Sequence, residues 1–184
     1  DEYLWGANGA IAPQLVRTAR WPLMGMTLLF GLALFLALRS TVGETAAWAG
    51  LVLFILDPNI VGNGRLVTND LPVSGWKFVA VWRLTANLRR PTAANLLAAG
   101  LAAGAAAATK FSALLLGPIF LLLAAFYRPP GGHSLSPARR MAALVGMGAV
   151  AALTVWAVLG FEVGPLTEDS IPLPAPTYLR GMPG

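Results

Sequence analysis

The chain has 184 residues, of which 57% are hydrophobic and only 11% charged, and its mean hydropathy of +0.67 is too high for a water-exposed globule. The net charge of +5 comes from basic residues between apolar runs, a pattern that indicates membrane topology or lipid head-group contact and argues against a nucleic-acid partner. The absence of Cys and the presence of one His exclude disulfides, thiolate metal sites and His-cluster metal sites.

Apolar runs long enough to cross a bilayer, about 17–25 residues each, follow one another along most of the chain. The first ends at Arg39, and the third carries Lys77 and Arg83, which we expect to reach the interface or face a polar interior. The sequence therefore predicts an all-α integral membrane protein with about six transmembrane helices, forming one membrane domain over 1–184. The predicted spans are 21–38, 45–61, 71–88, 92–109, 111–127 and 141–161.

The run from Thr92 to Tyr127 decides the predicted topology. As a single helix it would be about 54 Å long at 1.5 Å per residue, too long for a hydrocarbon core of about 30 Å. Arg-rich segments flank it on both sides, and if both are cytoplasmic the chain must cross twice between them. We therefore expect a turn at Lys110 on the non-cytoplasmic side, together with 57–70 and the Pro-rich tail 162–184, and the loop 128–140 on the cytoplasmic side.

The segment 57–70 holds the densest set of polar side chains, and its candidate residues are Asp57, Asn59, Asn63, Arg65 and Asp70. Pro58 ends or kinks the preceding helix, and the glycines let the backbone approach a ligand. Asp70 precedes the span that begins at Leu71, so its carboxylate is either a helix cap or a functional acid. The residues alone leave both interpretations open.

Lys110 is the second candidate, because it interrupts an otherwise apolar stretch. It either marks a tight turn and reaches the interface, or presents an ammonium group to an anionic head group. Gly100 and Gly104 form a small-xxx-small pattern, which predicts close helix packing. The tail 172–181 is too rich in proline for a helix, and we expect a linker or a segment lying across a cavity.

Three segments resemble a known family. They are 57–70, the Ala/Gly-rich helix that ends in Ala-Thr-Lys-Phe-Ser-Ala at 108–113, and Phe-Glu-Val-Gly-Pro-Leu at 161–166 running into Pro-Leu-Pro-Ala-Pro-Thr-Tyr at 172–178. Their order and spacing are similar to bacterial polyprenyl-phosphate-dependent glycosyltransferases with the C-type (GT-C) membrane fold. That fold is shared with protein O-mannosyltransferases and aminoarabinose transferases.

The resemblance implies an enzyme of the bacterial inner membrane that transfers a sugar from a polyprenyl-phosphate carrier on the non-cytoplasmic face. It places Asp70 beside the donor phosphate, as the catalytic candidate in this chain, and makes Arg65 and Lys110 candidate phosphate ligands. Membrane lipid and the lipid-linked sugar are the implied partners, with other membrane subunits as a further option. The resemblance leaves open whether a divalent metal takes part.

The sequence departs from the family at its N-terminal end. Members carry an acidic pair in a long outer loop upstream of the segment that matches Arg17 to Trp21. Asp1 and Glu2 lie too close to Arg17 to be that pair, so we expect the pair to lie outside this chain, which would then be an inactive portion of a longer enzyme. The alternative is a non-catalytic membrane subunit, derived from the same fold, that packs against other membrane proteins.

Overall fold

A computed structural model describes residues 6, 10–64, 66, 68–129, 135–164 and 173–181, and it is mostly helical. The chain divides into two compact units, Asp1–Gly75 and Trp76–Gly184. Eight α-helices lie in the described residues: α1 (Ala12–Thr41), α2 (Glu44–Leu56), α3 (Pro58–Asn63), α4 (Asp70–Arg89), α5 (Ala93–Thr109), α6 (Leu116–Phe126), α7 (Pro137–Val158) and α8 (Pro176–Arg180). A 3₁₀-helix (Phe111–Leu115) and two short strands, β1 (Val163–Gly164) and β2 (Leu173–Pro174), complete the description.

The first unit is built on an antiparallel pair, α1 and α2. The turn between them contains Gly43 at φ 125°, a backbone conformation that L side chains rarely adopt. Further along the pair, the rings of Phe35 and Trp48 meet edge to face with centroids 5.0 Å apart, an arrangement that favours aromatic pairing. α1 begins nine residues before the predicted span 21–38, so the helix is longer than the uncharged run that suggested it.

The second unit is built on α5 and α7, which pack in parallel through two glycines. A Cβ atom added at Gly100 would lie 2.6 Å from Cβ of Val150, and one added at Gly104 would lie 2.6 Å from the carbonyl oxygen of Ala151. Such distances leave no room for a side chain, so the backbones touch directly. The predicted close packing at Gly100 and Gly104 is confirmed, and α7 is the partner helix.

Two of the described helices are long and apolar enough to cross a membrane, namely α1 and α7. Three shorter apolar segments, Glu44–Leu56, Ala93–Thr109 and Phe111–Phe126, overlap three of the other predicted spans. α4 covers the remaining one and carries the charged residues noted in the sequence. The count of six crossings stays a prediction.

The tail after α7 differs from the sequence expectation. β1 and β2 pair in an antiparallel register, with Val163 opposite Pro174, and the five residues after Ala175 form α8. The expectation of no helix in 172–181 is wrong. Pro176 stands in the first turn of α8, where proline is favourable because its missing N–H group has no partner within the helix anyway.

Candidate functional site

The long apolar stretch of the second unit is interrupted at Lys110. α5 ends at Thr109, Lys110 takes an extended conformation (φ −158°, ψ 133°), and the 3₁₀-helix begins at the next residue. The Thr109 hydroxyl donates to the carbonyl oxygen of Ala105 at 2.7 Å, and the Lys110 N–H donates to that of Ala106. The second bond satisfies a carbonyl that the end of a helix would otherwise leave open. The side chain of Lys110 is exposed.

The C-terminal segment contacts this interruption between α5 and the 3₁₀-helix through Tyr178. The hydroxyl of Tyr178 donates to the carbonyl oxygen of Ala107 at 3.2 Å, and its ring packs on Phe111 with centroids 4.8 Å apart. Burial of the side chain raises the pKa of Tyr178 above its usual value, because a phenolate is poorly solvated there. Tyr178 therefore keeps its proton and remains a donor to the end of α5.

Glu162 organises the segment that carries Tyr178. Its backbone carbonyl accepts hydrogen bonds from the indole N–H of Trp156 and the amide N–H of Ala175, both at 2.9 Å. Its carboxylate accepts a bond from the hydroxyl of Thr177 at 2.8 Å. A single residue thus ties the end of α7 to the start of α8, close to the Lys110 turn.

Lys77 joins the same end of the unit. Its ammonium group donates to the hydroxyl of Ser112 at 3.5 Å, two residues after Lys110. The sequence left Lys77 and Arg83 either at the interface or facing a polar interior, and the structure gives both a protein partner. Arg83 donates to the side-chain carbonyl of Asn95 at 3.5 Å and lies over the ring of Trp82. In the sequence, Lys77 stands out as a cation within an apolar span, and such a residue is a functional candidate by default.

A cavity of about 490 Å³ lies beside this arrangement. Its walls come from α5, α7, the 3₁₀-helix and the C-terminal segment, and they include Ala107, Leu114, Trp156 and Tyr178. The tail segment therefore lies across a cavity, one of the two arrangements that the sequence left open. The lining is almost entirely apolar, which suits a hydrocarbon group better than a sugar.

The segment 57–70 belongs to the first unit, and several of its polar groups are used locally. The carboxylate of Asp57 accepts hydrogen bonds from the N–H groups of Asn59 at 2.7 Å and Ile60 at 3.4 Å, so it caps α3. The side-chain amide of Asn63 donates to the carbonyl oxygen of Asn59 at 3.0 Å. The capping role that the sequence offered for Asp70 is thus seen at Asp57, where Asp followed by Pro is a recognisable helix start.

Asp70 is the first residue of α4, and its side chain is exposed. A carboxylate at this position interacts favourably with the free N–H groups of the first helical turn, and it is also accessible to a ligand. Arg65, the other candidate phosphate ligand of this segment, lies outside the described residues, as do Asp1 and Glu2. Across the described ranges, no group of three or more acidic or His side chains is arranged to hold a metal ion.

A model of one protein family matches residues 10–159, most of the chain, and its description is dolichyl-phosphate-mannose-protein mannosyltransferase. The chain belongs to this family. The membership confirms the resemblance drawn from the three motifs, and it agrees with a mostly helical membrane protein of the GT-C class.

Searches of curated proteins and of solved structures found no match to this mannosyltransferase-family chain. The matched range includes Asp70, Lys77 and Lys110 and ends at Leu159. The segment that contacts the Lys110 turn through Tyr178 therefore lies beyond the part that the family model describes. Its role is inferred from the contacts alone.

Proposed function

We propose that this protein is a membrane glycosyltransferase that moves a sugar from a polyprenyl-phosphate carrier to an acceptor on the non-cytoplasmic face of the bacterial inner membrane. The observation that carries the proposal is the family match over residues 10–159. The sugar is mannose or a related hexose, as the family description suggests. The donor lipid and the surrounding bilayer are then its partners.

The parallel packing of α5 and α7 supports the proposed arrangement in the membrane. If α5 crosses towards the non-cytoplasmic face, α7 crosses in the same direction, and α6 between them returns. The ends of α5 and α7 then lie on one face with Lys110 and Glu162. The Arg-rich starts of α5 and α7 then lie on the opposite face, as the distribution of basic residues favours.

The proposed chemistry uses two kinds of charge. Transfer breaks the bond between the sugar and the carrier phosphate, and negative charge develops on the departing phosphate. The ammonium group of Lys110 stabilises that charge, and Lys77, which bonds to Ser112, adds a second cation near the same turn. The carboxylate of Asp70 is the proposed general base, which accepts the proton of the acceptor hydroxyl as that oxygen bonds to the sugar, or orients the group that does.

The decisive experiment compares two aspartates of the same segment. Transfer from a polyprenyl-phosphate-linked sugar is measured in proteoliposomes with the full-length protein, for wild type, Asp70→Asn and Asp57→Asn at matched expression. Asp70→Asn should lower the rate about 100-fold or more, the usual loss when a charged group at the reacting centre is removed. Asp57→Asn should be nearly silent, because Asn caps a helix about as well as Asp.

Near-normal turnover of Asp70→Asn would remove Asp70 from the chemistry and leave it as a helix-terminal carboxylate. Absence of transfer by the wild type with every lipid-linked hexose tested would contradict the enzymatic proposal. That second result would favour the non-catalytic membrane subunit.

A further inference from the structure

The end of the second unit opposite Lys110 contains a cavity of about 690 Å³ between α6 and the start of α7. Its apolar walls include Leu121, Met141 and Leu144, and two guanidinium groups, those of Arg128 and Arg140, line it as well. Leu121 and Met141 are 55% and 54% exposed, respectively. An apolar wall with cations beside it matches the two parts of a phospholipid.

Arg140 is held in a fixed position at this cavity. Its Nε–H donates to the carbonyl oxygen of Leu135 at 3.1 Å, and its Nη1–H donates to that of Ala124 at 2.6 Å. Two of its five N–H donors are therefore used to orient the group, and the others are oriented by the same two bonds. A ligand that meets a pre-oriented guanidinium loses less conformational entropy on binding.

The charge at this end has no internal counterpart in the sequence. From Leu71 to Phe161 the chain contains no Asp or Glu at all, yet it contains eight basic residues. Five of them are arginines near this end: Arg89, Arg90, Arg128, Arg139 and Arg140. Neither cavity arginine forms an ion pair within the described ranges. An anion on another molecule can therefore compensate this charge.

We propose that the cavity between α6 and α7 binds the head-group phosphate of an anionic phospholipid, with one acyl chain lying along Leu121, Met141 and Leu144. Basic pockets between membrane helices are typical sites for such lipids, and guanidinium groups match phosphate oxygens in geometry and charge. A free phosphate ion would use the arginines and leave the apolar walls unused. The site is separate from the proposed donor site, which lies at the other end of the unit.

The test measures lipid binding to the full chain by native mass spectrometry from detergent, with phosphatidylglycerol as the ligand. The variants are Arg128→Gln and Arg140→Gln. Arg90→Gln is the matched control, since it removes the same charge from the same end but does not line the cavity. Arg140→Lys is added because Arg140 also bonds to two carbonyls, and thermal unfolding verifies that each variant is folded.

Arg128→Gln and Arg140→Gln should each weaken phosphatidylglycerol binding about fivefold, the effect of one basic residue at a lipid surface. Arg90→Gln should not weaken it. An equal loss with Arg90→Gln would show diffuse surface attraction and overturn the site. Displacement of the lipid by millimolar inorganic phosphate would overturn the lipid assignment. If the cavity variants lost binding of polyprenyl phosphate to the same extent, the cavity would be a donor site instead. Sugar transfer measured separately keeps this result distinguishable from a failure of the proposed function.

Discussion

Two side chains that contact the turn at residues 110–112 act in different ways. Tyr178 donates to a backbone carbonyl at the end of α5 and supports the shape of the turn. Lys77 donates to Ser112 and adds a positive charge beside it. Removing the first should therefore change stability, and removing the second should change how an anion is bound.

Tyr178→Phe should lower the free energy of unfolding by about 1–3 kcal/mol, because the Ala107 carbonyl loses its donor in a partly buried place. Thermal unfolding of purified protein measures the change. Thr177→Ala is the control, since it removes the exposed bond to Glu162 and should cost less. An effect of Tyr178→Phe no larger than that of Thr177→Ala would contradict a supporting role.

The raised pKa of Tyr178 predicts how the stability difference between wild type and Tyr178→Phe depends on pH. The pKa of Tyr178 in the folded state lies above the unfolded value of 10.0. Its contribution to the free energy of unfolding is therefore complete below pH 10 and is lost as the pH rises through the folded pKa. The stability gap between wild type and Tyr178→Phe should narrow above pH 10. A gap that widens there would mean that the phenolate is preferred in the folded state.

Lys77→Gln should raise the KM for the lipid-linked donor by about 10- to 150-fold and leave the fold intact, because a cation near a bound phosphate is worth about 1.5–3 kcal/mol. Steady-state transfer rates at varied donor concentration give the result. Arg83→Gln is the matched control, from the same helix, and its partner is an amide at the start of α5. Equal effects of the two substitutions on KM would argue for a general loss of charge in α4.

At the scale of elements, the break at Lys110 was predictable because a single cation interrupts a run too long for one crossing. The glycine contact was predictable from spacing, but its partner was not, since nothing in the sequence distinguishes α7 from other apolar helices. The cap at Asp57 was also readable in the sequence, because Asp57 directly precedes the proline that starts α3. α8 was not predicted, because a proline-rich segment usually breaks a helix, whereas Pro176 occupies the first turn, where proline is favourable.

Gly104→Ala should destabilise the second unit by about 1–3 kcal/mol, the usual cost of overpacking a tight contact. The new Cβ atom would lie 2.6 Å from a backbone oxygen of α7, which has little freedom to move away. Gly148→Ala in α7 is the control, because nothing lies within 4 Å of its Cβ position and alanine favours a helix. Unfolding in denaturant compares them, and equal stability of the two variants would show that the helices separate easily.

For the whole molecule, sidedness in the membrane is the open prediction, and the chain suits the test because it contains no Cys. Single cysteines at Asn59, Ala138 and Val163 occupy exposed positions. A membrane-impermeant maleimide added to intact, oriented vesicles should modify Asn59→Cys and Val163→Cys from one side and Ala138→Cys from the other. Modification of Ala138→Cys and Val163→Cys from the same side would exclude the six-span topology.

The contact between α5 and α7 also has a mechanical consequence. Helices that touch at glycines one turn apart can slide only by about a whole turn, roughly 5.4 Å, before the next fit. Over the 17 residues of α5, about 25 Å at 1.5 Å per residue, the pair behaves as a stiff strut between the Arg-rich end and the Lys110 end. If α5 crosses the membrane as the sequence predicts, this stiff pair of helices sets the height of Lys110 in the bilayer.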